Sequence, residues 1–143
     1  MSGVEREILK NIPGLQNANP LRDKTFTFSA IVRVNDTLYI SGTLGVTRDG
    51  LVPGGITPET RQALINMRTA LKQFGCDLKN VVKCTVLLSN YDDFAALNKA
   101  YAEFFTERHP ARACYQVAKL PLNARVEIEA VAVTNVVRER AKL

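Results

Sequence analysis

Between two stretches of helical periodicity lies VVKCTVLL, Val81 to Leu88, apolar on both faces apart from Lys83 and Thr85. A strand of that kind belongs in the middle of a sheet, because an edge or a solvated face would carry alternating polar residues. Before it, Leu64, Met67, Leu71 and Phe74 recur at three- and four-residue spacing and make one apolar stripe, with Arg61, Arg68 and Lys72 opposite. Thr57-Pro58-Glu59 reads as the start of this helix: a capping hydroxyl, proline at the first helical position and an acid in the first turn. Gly75 is placed to end it. After the strand, Asp92 or Asp93 is expected to cap a second helix with Phe94, Leu97, Tyr101 and Phe104 or Phe105 as its stripe, stopped by His109-Pro110.

Strands flank this centre. Residues 4–10 alternate and suit an edge strand, and 11–24 read as loop. Thr25 to Val34, with Phe26, Phe28, Ala30, Val32 and Val34 on one face, turns at Asn35-Asp36 and returns over Thr37 to Ser41 as a hairpin. The glycine-rich stretch 43–56 reads as loop with a small hairpin at Arg48-Asp49-Gly50. Ala113 to Ala118 and Arg125 to Val136 supply the last strands.

The expected order is β-β-β-α-β-α-β-β, an α+β sandwich with a mixed sheet and two helices on one face. At 143 residues the chain is expected to form one domain, residues 1–24 as strand plus variable loop and 25–137 as core. Helices that cover one face leave the other bare, yet VVKCTVLL is apolar on both. A patch of that kind marks an interface, so a closed homo-oligomer is expected.

Composition narrows the functional classes. No apolar span is long enough to cross a bilayer, and MSGVEREILKNIPG has no apolar core for a secretory signal. It also lacks the Arg-rich, acid-poor character of a transit peptide, so a cytoplasmic protein is expected, with mitochondrial entry left open. Cys76, Cys84 and Cys114 form no C-x-x-C, and the single His109 completes no Cys/His zinc set; free thiols and no metal are expected. The net charge of +5 attracts anions at long range, but Lys and Arg are dispersed and no basic-aromatic RNA motif is present.

The chemistry gathers in HPARACYQVAKLPLNARVEIEAVAV, His109 to Val133. Arg112 stands at the mouth of a short strand, where its planar fork suits a carboxylate; the plainer alternative is a strand-end Arg bonding a loop carbonyl. Glu127 and Glu129 lie two apart and share a face of the last strand with Arg125. One is expected to pair with Arg125 and the other to position water. On pattern alone, solvent exposure of the arginine and both acids ranks ahead. Cys114 shares the Arg112 face and reads as a packed thiol rather than a nucleophile, since His109 lies across a bend. Ser41-Gly42 allows close backbone approach by a ligand, and Asn98 sits on the second helix.

Together these residues resemble the Rid family of reactive intermediate deaminases, also called YjgF-type or L-PSP endoribonuclease-like proteins. The resemblance spans roughly Val32 to Val133. It is carried by Tyr39-Ile40-Ser41-Gly42, Gly75-Cys76-Asp77, Asn80-Val81-Val82-Lys83, Asp93-Phe94 with Asn98 and Tyr101, Pro110-Ala111-Arg112, Gln116-Val117-Ala118 with Leu120-Pro121, and Glu127-Ile128-Glu129-Ala130. It implies a chorismate-mutase-like fold, a homotrimer with clefts between subunits, and metal-independent hydrolysis of 2-imino or enamine acids to 2-oxo acids and ammonia, as by a 2-iminobutanoate/2-iminopropanoate deaminase. By matching position, Arg112 is the carboxylate-binding residue and Glu127 the acid beside the attacking water. Ser41, Gly42, Asn98 and Cys114 line the cleft. No cofactor is implied.

The chain departs from the family's Gly-Pro-Tyr-Ser-Gln block. Phe28 stands where the tyrosine is usual, and Thr43 where Gln commonly follows Ser-Gly. An RNA-directed endoribonuclease or translation inhibitor, and a non-catalytic protein binding small carboxylates or partners, are the competing readings.

Overall fold

The computed structural model describes residues 3–15, 27–135 and 139–142. Phe26 and the 136 end of the expected last strand lie outside them. A six-stranded mixed sheet carries both helices on one face. Its strands are β1 (Arg6–Leu9), β2 (Ile31–Val34), β3 (Thr37–Leu44), β6 (Val81–Leu88), β7 (Ala111–Gln116) and β8 (Val126–Val133), in the order β1-β2-β3-β8-β6-β7. The small hairpin expected at Arg48-Asp49-Gly50 forms from β4 (Val46–Thr47) and β5 (Gly50–Leu51). Helices α1 (Ile56–Lys72) and α2 (Phe94–Ala102) precede and follow β6. The expected order β-β-β-α-β-α-β-β is therefore the order of the main elements.

VVKCTVLL is interior, as its composition requires. β6 pairs antiparallel with β8 and parallel with β7, and α2 makes the crossover to β7. Cys84, Val86 and Leu88 are wholly buried, as are Leu38, Ile128, Ala132 and, on α1, Leu64, Met67 and Leu71. The parity of β2 puts Ile31 into this core and turns Val32 to the opposite face.

Several local expectations are corrected. α2 ends at Ala102, short of His109-Pro110, so Phe104 and Phe105 lie beyond it. α1 begins at Ile56 with Gly55 at its N-cap, so Thr57 does not cap it and Pro58 falls third. Gly55 has φ 87, a conformation open to glycine, and the first turn's acid, Glu59, is turned inward. Asp93 is the N-cap of α2, as expected, but makes no side-chain cap bond; Asn90 Oδ1 instead accepts from the Asp92 amide and starts a 3-10 turn, Tyr91–Asp93, that leads into α2. β3 runs past Ser41 to Leu44, with a register shift between Ile40 and Thr43 that holds Gly42. At the other end of α1 the reading of Gly75 holds. Its φ is 69, and the Cys76 and Gly75 amides close on the carbonyls of Leu71 and Lys72.

Candidate active site

Register decides which side each candidate occupies. Arg112 pairs with Cys84 and Cys114 with Val86, so both β7 side chains lie on the helix-covered face. The Arg112 Nη2 donates to Asn98 Oδ1 at 2.7 Å. Its guanidinium carbon lies 4.8 Å from the Tyr101 ring centroid and 5.9 Å from that of Phe94. Arg112 thus bonds a side chain of α2 rather than a loop carbonyl. Rings and amide hold the fork, and its other N–H groups have no hydrogen-bond partner among the described residues.

Beneath it, the Tyr101 hydroxyl is buried beside the Cys84 thiol, and burial raises both pKa values, Cys84 to about 11. Burial also raises the Cys114 thiol, with Arg112 opposing. These thiols are protonated at neutral pH, as expected of packed cysteines.

Glu127 is on the other face. Val126, Ile128 and Ala130 point into the core, so Glu127 and Glu129 project from the open side, opposite Leu87 and Thr85 of β6. Burial raises the Glu127 pKa, and the neighbouring Glu129 charge adds to the rise. Gly42 lies so close that a Cβ there would collide with Glu127 Oε1. That contact is a stronger reason for glycine than any turn. Ser41 Oγ donates to the Ser29 carbonyl at 2.6 Å, and Lys10 Nζ to the Phe28 carbonyl at 2.9 Å, which seats Phe28 near the same end of β3. Ser41, Tyr39, Val32, Lys83 and Glu129 border a shallow cavity of about 280 Å³ on the open face.

The candidates therefore fall into two groups. Arg112, Asn98 and Cys114 are brought together on the helix side; Glu127, Gly42 and Ser41 on the open side. Within one chain the sheet separates them. The expected pairing of an acid with Arg125 is also corrected. Arg125 Nη1 lies 3.6 Å from Asp93 Oδ1, and the Arg125 amide donates to Glu59 Oε1 at 2.8 Å. Glu59 is buried, which raises its pKa against the opposing pull of Arg125. Nothing in the sequence pairs residues so far apart. The aromatic walls around Arg112 were visible only as a helical stripe. Among the described residues, no group of three or more His, Cys, Asp and Glu is placed to hold a metal ion.

Residues 22–134 match the family model described as Endoribonuclease L-PSP. The chain belongs to that family. A Bos taurus relative named 2-iminobutanoate/2-iminopropanoate deaminase is 52% identical over 135 residues, covering 93% of each chain. The solved structure of yeast Mmf1 is 32% identical with a TM-score of 0.78, covering 90% of this chain and 98% of that one. The structure of E. coli TdcF with bound serine is 29% identical with a TM-score of 0.75, covering 89% and 98%. The Rid-type resemblance read from the motifs and the α+β fold it implied both hold for this chain.

Proposed function

We propose that this protein hydrolyses 2-imino acids to 2-oxo acids and ammonium, at a site that two copies of the chain build together. The observation that carries the reading is the placement of Arg112 and Glu127 on opposite faces of one sheet. Neither group does the expected chemistry alone. A contact that sets the helix-side edge of one copy against the open face of the next joins two different surfaces, and such head-to-tail contacts close into rings. A homotrimer of this kind has one cleft per contact. The relatives named as imine deaminases, and the serine bound to the E. coli relative, support a small amino-acid-like ligand.

In that cleft Arg112, oriented by Asn98, takes the substrate carboxylate through its remaining N–H groups. Ser41, Gly42, Cys114 and Phe28 form the walls. The protonated imine carbon is already electrophilic. Water adds to it and gives a proton to Glu127, forming a carbinolamine. Glu127 returns that proton to the nitrogen, the C–N bond breaks, and ammonia leaves as the hydroxyl proton is lost and the C=O forms. Ammonia takes up that last proton, so imine cation plus water gives 2-oxo acid plus ammonium. A base whose pKa is raised above the ordinary 4.5 places the acid limb of the rate profile above that value.

The test is subunit complementation. Hydrolysis of 2-iminobutanoate, made in situ and trapped with semicarbazide, is measured for wild type, Arg112→Ala, Glu127→Gln and a co-refolded mixture of the two variants. Each variant alone is expected to lose about two to three orders of magnitude, since truncation leaves a charged partner unmatched. The mixture should recover about a quarter of the wild-type rate, the fraction of contacts that pair an intact Arg112 with an intact Glu127 in a random ring. No recovery in a properly assembled mixture rejects a shared site, and no acceleration by wild type rejects the deaminase reading.

A further inference from the structure

One feature beside Arg112 has no part in that reaction. Tyr91 and Phe94 stack with centroids 4.8 Å apart and planes within 11°, and Phe94 is the same ring that flanks Arg112 at 5.9 Å. Tyr91 is exposed, at 46%, although a large apolar ring gains by burial. It is also held. Its amide donates to Gln116 Oε1 at 2.8 Å, and Gln116 lies on β7 in the same alternating row as Arg112 and Cys114. At about 3.3 Å per residue that row runs about 13 Å from Arg112 to Gln116, with the aromatic pair alongside. The Asn90 cap on the preceding turn fixes the same segment from its other side.

We propose that the Tyr91–Phe94 stack is a side-chain subsite, and that the substrates this chain favours are 2-imino acids bearing a flat aromatic side chain. The inference rests on the deaminase reading and specifies its substrate. Arg112 sets the carboxylate at one end of the row, and the substrate's side chain then extends along β7 over Cys114 toward the aromatic pair. An alkyl group of one or two carbons offers the pair no ring to stack on. A benzyl group reaches Phe94 and stacks on the exposed face of the pair, where an offset aromatic contact adds to simple burial. The bond changes are those of the hydrolysis already written; only the group on the imine carbon differs.

The experiment compares imino acids generated in situ from L-phenylalanine and from L-2-aminobutyrate, with wild type, Tyr91→Ala and Tyr91→Phe. Wild type should favour the aromatic imine in kcat/KM. Tyr91→Ala should lower the aromatic-to-aliphatic ratio by roughly five- to tenfold, mostly through KM. Tyr91→Phe should keep the ratio, because stacking needs the ring and not the hydroxyl. Calorimetric binding of phenylpyruvate, weakened in Tyr91→Ala more than binding of 2-oxobutanoate, gives the same answer without turnover. Acceleration of both hydrolyses with a ratio that Tyr91→Ala leaves unmoved overturns the subsite and spares the deaminase reading. Acceleration of neither overturns both.

Discussion

The two faces of the sheet have the same strands and opposite fates. On the helix side Leu38, Val86, Leu88 and Ile128 are fully buried, and Arg112 is bonded to an amide and walled by rings. On the open side Tyr39 and Tyr115 stand 52% and 51% exposed, Lys83 and Glu129 border a cavity, and Glu127 sits against a glycine. One face is finished within the chain. The other presents apolar groups and a desolvated acid without a covering layer among the described residues. Side-chain alternation along β8 makes the contrast sharp: adjacent residues answer to different demands.

Adjacent substitutions on β8 probe that contrast most strongly. Ile128→Ala should cost about 2–5 kcal/mol in unfolding free energy, read by urea titration, because it empties a packed core position. Glu127→Ala one residue earlier should leave folding nearly intact while abolishing imine hydrolysis. Equal destabilisation by both would erase the distinction between the faces. Val131→Asp comes next, since Val131 borders the open-face cavity. A charge there should dissociate the proposed ring in sedimentation while far-ultraviolet dichroism keeps the folded signature. An unchanged sedimentation coefficient would show that this face is not the interface.

Gly42→Ala should be milder. The new methyl displaces the Glu127 carboxylate, so kcat is expected to fall about tenfold with smaller change in stability. The smallest effect is assigned to Glu59→Gln, which keeps an acceptor for the Arg125 amide. The folded-state pKa of Glu59 is raised above 4.5, so the folded form binds more protons than the unfolded chain as pH rises from 4.5. The group's contribution is greatest below 4.5 and is lost as pH climbs through the folded value. Glu59→Gln should therefore show a small gain in Tm over wild type at neutral pH that disappears near pH 4.

Local chemistry carried much of the fold. The stripes of α1 and α2, the interior character of β6, the Asn35-Asp36 turn and the Gly75 stop are properties of a few neighbouring residues, and neighbours are what a sequence displays. The caps were harder, because a two-residue shift in α1 turns a good capping triplet into helix interior and moves the N-cap to a glycine with no side chain to read. Motif residues in the site were legible too: Arg112 and Glu127 stood out as ions in apolar strands. Their partners were not. Asn98 to Arg112 is a contact across fourteen residues, and Glu59 to Arg125 one across sixty-six.

Sequence by itself determined the order of elements, which residues are apolar, and which ions must find partners. Only the tertiary structure decided that Arg112 and Glu127 look away from each other. Strand parity is local, but the face that parity selects depends on sheet order, on the helix crossover between β6 and β7, and on the antiparallel return of β8. Those are set by packing the whole chain at once, as apolar surface is buried and each strand finds its hydrogen-bonding neighbour.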